Sequence, residues 1–151
     1  MIELPQETPK TFAEFFAGIG LMRIGLERAG WRVAYANDVC AEKFDMYRAN
    51  FDDADDHFVV EDVHCVKASE VPTVLLATAS FPCNDLSLAG GRAGLAGAQS
   101  SAFYGFVRVL REMRARRPRF VLLENIAGFL SSHDGEDFRE VILAPTLAAV
   151  T

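Results

Sequence analysis

The chain has 151 residues, half of them hydrophobic and 24% charged, the balance of one folded domain rather than a disordered tail. Its formal net charge of −6 is the wrong sign for a chain that grips nucleic acid unaided, and no apolar run approaches the ~20 residues needed to cross a bilayer. Residues 1–7 lack the basic start of a secretory leader, so a cytoplasmic protein is expected. Cys40, Cys65 and Cys83 are far apart, and neither they nor His57, His64 and His133 fall at metal-ligand spacing; reduced thiols and no metal site are expected.

After a loose lead-in, residues 11–16 read as a mostly apolar strand. Ala17, Gly18, Ile19 and Gly20 then turn into a helix over 21–29, with Leu21, Ile24 and Leu26 as its apolar face and Gly30 as its stop. Glycines in such a turn let the backbone approach a ligand, and the helix start offers free N–H groups. A second strand over 31–37 ends in Asn37 and Asp38, about twenty residues beyond the turn, where nucleotide-binding folds place an acid against ribose hydroxyls. A helix over 41–50 leads to an acidic turn with Asp52, Asp53, Asp55 and Asp56, which lacks the alternation of a calcium loop and reads as solvated. Residues 57–61 form a short third strand with Asp62 and Val63 at its end; His57 and His64 flank it as edge residues.

A turn over 69–72 enters the fourth strand, residues 74–78, and then comes Pro82-Cys83. From position alone Cys83 is either a small buried hydrophobe or a nucleophile held over the sheet edge. Residues 81–100 contain Gly90, Gly91, Gly94 and Gly97 and are too long for a plain connector, which marks a functional loop. A helix over 101–116 carries Phe103, Phe106, Val107 and Leu110 on one face, and the arginines of 111–119 read as its solvated end. Residues 120–123 form strand five, followed by Glu124 and Asn125; a last helix over 137–143 stops before Pro145. Alternating strands and helices predict an α/β fold, a mostly parallel sheet of about five strands with helices on both faces. Gly18 and Gly20, Asp38, Asp62, Cys83 and Glu124 then all meet at one sheet edge.

Phe16-Ala17-Gly18-Ile19-Gly20, Pro82-Cys83 and Glu124-Asn125, in that order, resemble the cofactor turn, the catalytic Pro-Cys and the catalytic Glu-Asn of the cytosine-5 DNA methyltransferase family. The resemblance implies a Rossmann-like class I methyltransferase fold, incomplete here, with residues 1–151 as the S-adenosylmethionine-binding and catalytic portion and the target-recognition domain absent. On the same ground Phe16, Gly18 and Gly20 border S-adenosylmethionine, Asp38 holds its ribose, and Asp62 and Val63 its adenine. Pro82 lies beside the methyl donor, and Phe103 falls where the family has a leucine against the cofactor. The implied reaction is methylation of cytosine C5 in duplex DNA, of the restriction-modification kind. Cys83 attacks C6 as a thiolate, Glu124 holds or protonates N3 from a partly buried carboxyl of raised pKa, and Asn125 fixes the turn presenting Glu124. The target base is flipped out, and the 81–100 loop closes over it.

The chain departs from the family at Asn84, where glutamine is usual, at Leu21, at Asp38, where glutamate is usual, and at Ser100 and Ser101. Nothing after Glu124 resembles the family's later segments. The expectation is therefore half of a split or truncated enzyme, inactive without the rest. A second polypeptide or missing C-terminal segment would carry target recognition against the uncovered edge of strand five. The alternatives are a non-catalytic half that binds cofactor or partner, and a transfer-RNA cytosine-5 methyltransferase.

Overall fold

The computed structural model describes residues 9–81 and 101–147. They form a five-stranded sheet in which every pairing is parallel, with β1 (Thr11–Phe15) at the centre, β2 (Arg32–Asp38) and β3 (Phe58–Val60) to one side, and β4 (Leu76–Ala79) and β5 (Phe120–Leu123) to the other. The helices are α1 (Leu21–Arg28), α2 (Ala41–Asn50), α3 (Ser101–Met113) and α4 (Glu136–Leu147). This is the expected Rossmann-like arrangement, and all five strands run out at one edge.

The central strand is buried on both faces, as a parallel strand between helix layers must be. Strand alternation sends Phe12 to the α1 side, where it packs with Val33, Leu76 and Leu26, and sends Ala13 and Phe15 to the α3 side. Phe15 meets Phe106 of α3 edge-on, ring centroids 5.0 Å apart. The β1–β2 register slips by one between Phe12 and Ala13, so that Val33 pairs with Phe12 and Tyr35 with Ala13. That bulge lets Val33 and Tyr35, two residues apart, be buried on opposite faces, Val33 under α1 and Tyr35 under α3.

α3 buries Phe103, Phe106, Val107, Val109, Leu110 and Met113. Its arginines clasp the segment before β4. Arg108 Nη2 donates to the carbonyls of Val63 (3.1 Å) and Val66 (2.7 Å), and Arg116 to those of Val71 and Ala68 (both 2.8 Å). Arg116 is thus not the solvated helix end expected from sequence; the 63–71 segment has carbonyls to satisfy, and the guanidinium fork reaches two of them. The regular helix stops at Met113, and Arg114–Arg116 tighten into a 3-10 turn. α4 begins one residue earlier than predicted and continues past Pro145 to Leu147.

β5 is the outer strand. Phe120 and Leu122, which share the α1-side face, are 52% and 41% exposed, since α1 packs on the central strands and α2 on β2 and β3. Among the described residues no strand pairs with the outer edge of β5. No helix among the described residues is long and apolar enough to cross a membrane.

Candidate active site

The turn after β1 is built from left-handed backbone. Phe16 (φ 58°), Gly18 (φ 56°) and Gly20 (φ 87°) all have positive φ, and Phe16 is a residue type that rarely adopts it. Ala17 N–H donates to Asn37 O at 2.9 Å, pinning the turn to the end of β2. Gly20 is required twice over, by its φ and because a Cβ there would stand 2.4 Å from Phe51 Cε2. α1 starts from it with no side-chain cap.

Asp38 ends β2 as a buried acid. Its Oδ2 accepts from Gly18 N–H (2.9 Å) and its Oδ1 from Cys40 N–H (3.0 Å), and Lys43 Nζ stands 3.7 Å from Oδ2. Asp38 therefore fastens the Phe16–Gly20 turn to the start of α2. Asp62 is exposed at the end of β3 and accepts from His64 N–H at 2.8 Å, while Val63 beside it is buried. Phe103 is fully buried with its ring 5.1 Å from that of Phe81, in the core beneath the edge.

On the other side of the centre, β4 leads through Ser80 to Phe81, where the description breaks before Pro82 and Cys83; those two residues and the glycine-rich loop lie outside the described residues. Glu124 N–H donates to Ala79 O at 3.1 Å. Asn125 Nδ2 donates to Phe81 O at 3.2 Å, and its Oδ1 accepts from Ile126 N–H. Asn125 thus holds the Glu124 turn against the residue preceding Pro82-Cys83. Glu124 itself is exposed rather than partly buried as expected, because β5 is outermost and no described element lies on its free side.

One cavity of about 320 Å³ gathers Phe16, Gly18, Leu21, Lys43, Ser80 and Glu124 around Glu14. Of the predicted residues it unites Phe16, Gly18 and Glu124; Gly20, Asp38, Asp62, Val63 and Phe103 do not line it. Glu14 was not singled out from sequence. It is 2% exposed, and burial pushes its carboxyl up to about 8 against the pull of the nearby Arg23 backbone N–H and guanidinium. Its Oε2 has no hydrogen-bond partner, nor does Oγ1 of Thr78, its neighbour in register on β4. The signal was available: a charged residue inside an apolar strand directly before a glycine turn. An unsatisfied buried oxygen of a cavity-lining residue beside a glycine turn, with a second on the neighbouring strand, suits a ligand that brings donors or positive charge. S-adenosylmethionine, with its ammonium and sulfonium groups, fits that demand.

The family model described as C-5 cytosine-specific DNA methylase matches residues 10–144. The chain is 30% identical over 144 residues to Type II methyltransferase M.HhaI of Haemophilus parahaemolyticus, an alignment covering 94% of this chain and 42% of that protein. With Type II methyltransferase M.Bsp6I of Bacillus sp. (strain RFL6) it shares 28% identity over 130 residues, covering 85% and 40%. The chain thus spans about two fifths of the length of these relatives. Among solved structures, Entamoeba histolytica methyltransferase EhMeth superimposes with a TM-score of 0.70 at 17% identity, over 91% of this chain and 43% of that one. For S. pombe Dnmt2 methyltransferase the TM-score is 0.66 at 23% identity, over 90% and 40%. At these identities the likeness is one of fold.

Proposed function

Because this chain belongs to the C-5 cytosine-specific DNA methylase family, we propose that it carries the cofactor-binding and nucleophile-bearing part of an enzyme that methylates C5 of cytosine in duplex DNA. The observation that carries this reading is the meeting, at one sheet edge, of the Phe16–Gly20 turn, Glu124 and the strand exit that leads straight into Pro82-Cys83.

S-adenosylmethionine supplies the electrophilic methyl group when bound. Glu14 and Thr78 offer oxygens to its cationic end, and the backbone of Phe16 and Gly18 borders it. Gly20 allows the turn to pack on Phe51, Asp38 keeps the turn in place and faces the ribose, and Asp62 and Val63 take the adenine side. Phe103 supports that floor from the core, and Pro82 keeps Cys83 beside the donor. Cys83, as a thiolate, forms a bond to cytosine C6 and turns the ring into an enamine nucleophilic at C5. Glu124 holds a proton at N3 as negative charge builds there, and Asn125 aims the turn that carries it. Loss of the C5 proton to a base then breaks the Cys83–C6 bond and restores the ring. The open apolar edge at Phe120 and Leu122 supports a further polypeptide segment seated there, carrying target recognition, and the acidic net charge agrees with DNA contacts made by that segment.

The test is a covalent trap. Duplex DNA carrying 5-fluorocytosine, incubated with this chain and S-adenosylmethionine, cannot lose fluorine from C5, so the attacking residue stays attached. An adduct mapped to Cys83 and lost in Cys83→Ala is expected. Calorimetric binding of S-adenosylmethionine without any adduct, beside a full-length relative that gives one, would replace this reading with a cofactor-binding half. An adduct on RNA in place of DNA would change the substrate.

A further inference from the structure

Arg23 is an arginine with 4% exposure on α1, outside the cavity. Every nitrogen of its guanidinium is engaged. Nη2 donates to both carboxylate oxygens of Asp53 (2.8 and 3.0 Å), Nε to Glu27 (2.9 Å) and Nη1 to the Tyr47 hydroxyl (3.1 Å), with His57 Nε2 3.3 Å from Nη1. Its flat face lies 3.9 Å from the centroid of Phe51. Apart from Glu27, one turn on in α1, these partners come from α2 and from the connection between α2 and β3, so the side chain ties the first turn of α1 to the neighbouring unit of the fold. The backbone N–H of the same residue lies on the Glu14 side, where it draws that carboxyl's pKa down against burial. Phe51, the ring under the guanidinium, is also the ring against which Gly20 packs, with no room for a Cβ.

One residue therefore reaches both ends of the cofactor turn, Glu14 just before it and, through a shared ring, Gly20 at its close, while its charge is anchored elsewhere. We propose that Arg23 is a positioning residue for the cofactor turn: latched to Asp53, it sets the placement of α1's first turn, and with it Gly18, Gly20 and Glu14, for the cationic end of S-adenosylmethionine. This rests on the cofactor reading above. A purely structural role would need only that the fold survive, whereas a positioning role predicts a local loosening and a loss of affinity without loss of the sheet. Asp53 makes the hypothesis testable without touching α1, since its side chain is 51% exposed and both its carboxylate oxygens accept from Arg23.

The experiment compares the parent chain with Asp53→Asn and Arg23→Lys by two readouts. The first is amide hydrogen exchange without ligand. Exchange at residues 20–24 is expected to quicken by about tenfold, the factor for losing roughly one hydrogen bond to a charged group, while amides of β1 and β4 keep their protection. The second is calorimetric affinity for S-adenosylmethionine, expected to weaken by about tenfold in both variants, Lys retaining the charge but not the planar fork. Unchanged exchange at 20–24 in Asp53→Asn would overturn the inference, as would loosening of the whole sheet together with the turn. A parent chain that binds no S-adenosylmethionine would sink the cofactor reading instead, and the exchange comparison would then decide on Arg23 alone.

Discussion

Glu14 faces the α1 side of β1 because strand alternation puts it there with Phe12, and the glycine turn that follows leaves a cavity where a larger residue would have filled the space. Its carboxyl is pushed up to about 8 mainly by burial, with Lys43, Asp38 and Glu124 as the other charged groups near the cavity. An acid whose folded pKa lies above its unfolded value favours the fold fully below about 4.5 and loses that contribution as pH rises through about 8. The parent chain should therefore lose on the order of a few kcal/mol of stability across that window, and Glu14→Gln should abolish most of the slope. Urea unfolding at stepped pH checks this; equal slopes in both proteins would count against it. The opposite sign holds for ligand affinity, since an ionised Glu14 suits a cation: raising the pH towards about 8 should favour binding of S-adenosylmethionine more in the parent than in Glu14→Gln. His57 works in the other direction. Its pKa is lowered, by burial first and then by the Arg23 charge, so its contribution is present above about 6.5 and fades as pH falls below it.

α3 shows at the scale of an element how packing overrules propensity. Glycine in mid-helix costs about 1 kcal/mol relative to alanine, and Gly105 sits in mid-helix. Yet a Cβ at Gly105 would stand 2.8 Å from Val63 Cγ1 and 2.9 Å from His64 Nδ1. Val63 is buried and β-branched, so it has little freedom to retreat. Gly105→Ala is thus expected to gain the propensity term and lose more by overpacking, about 1–3 kcal/mol, for a net destabilisation seen as a lower urea midpoint. A raised midpoint would show that the 63–66 segment yields. The same contact, with the Arg108 bonds to Val63 and Val66, ties the end of β3 to α3, so damage at Gly105 should also reach Asp62 and Val63 at the sheet edge.

At the scale of the molecule the described sheet has two edge strands, β3 and β5. β3 has three residues, whereas β5 offers Phe120 and Leu122 on one face and, among the described residues, an unpaired backbone edge. Leu122→Lys is expected to reduce concentration-dependent self-association in sedimentation velocity with little change in the unfolding midpoint, because Leu122 is already 41% exposed; undiminished association would place the contact elsewhere. The strand and helix order, the parallel sheet and the convergence of Gly18, Gly20, Asp38, Asp62 and Glu124 at one edge were legible in the sequence, since apolar runs alternating with helical patterns leave few topologies open. Glycine turns and strand-end acids are local signals of the same kind. The engagement of Asp38 with Gly18, the exposure of Glu124, the burial of Phe103 and the role of Arg116 were not legible, because each depends on which distant backbone a side chain meets. Glu14 and Arg23 stand at the boundary. Their charges were visible in the sequence, but that one is left with an unpartnered oxygen at a cavity and the other is bonded at every guanidinium nitrogen follows from burial and from distances between β1, α1 and α2 that only the folded chain sets.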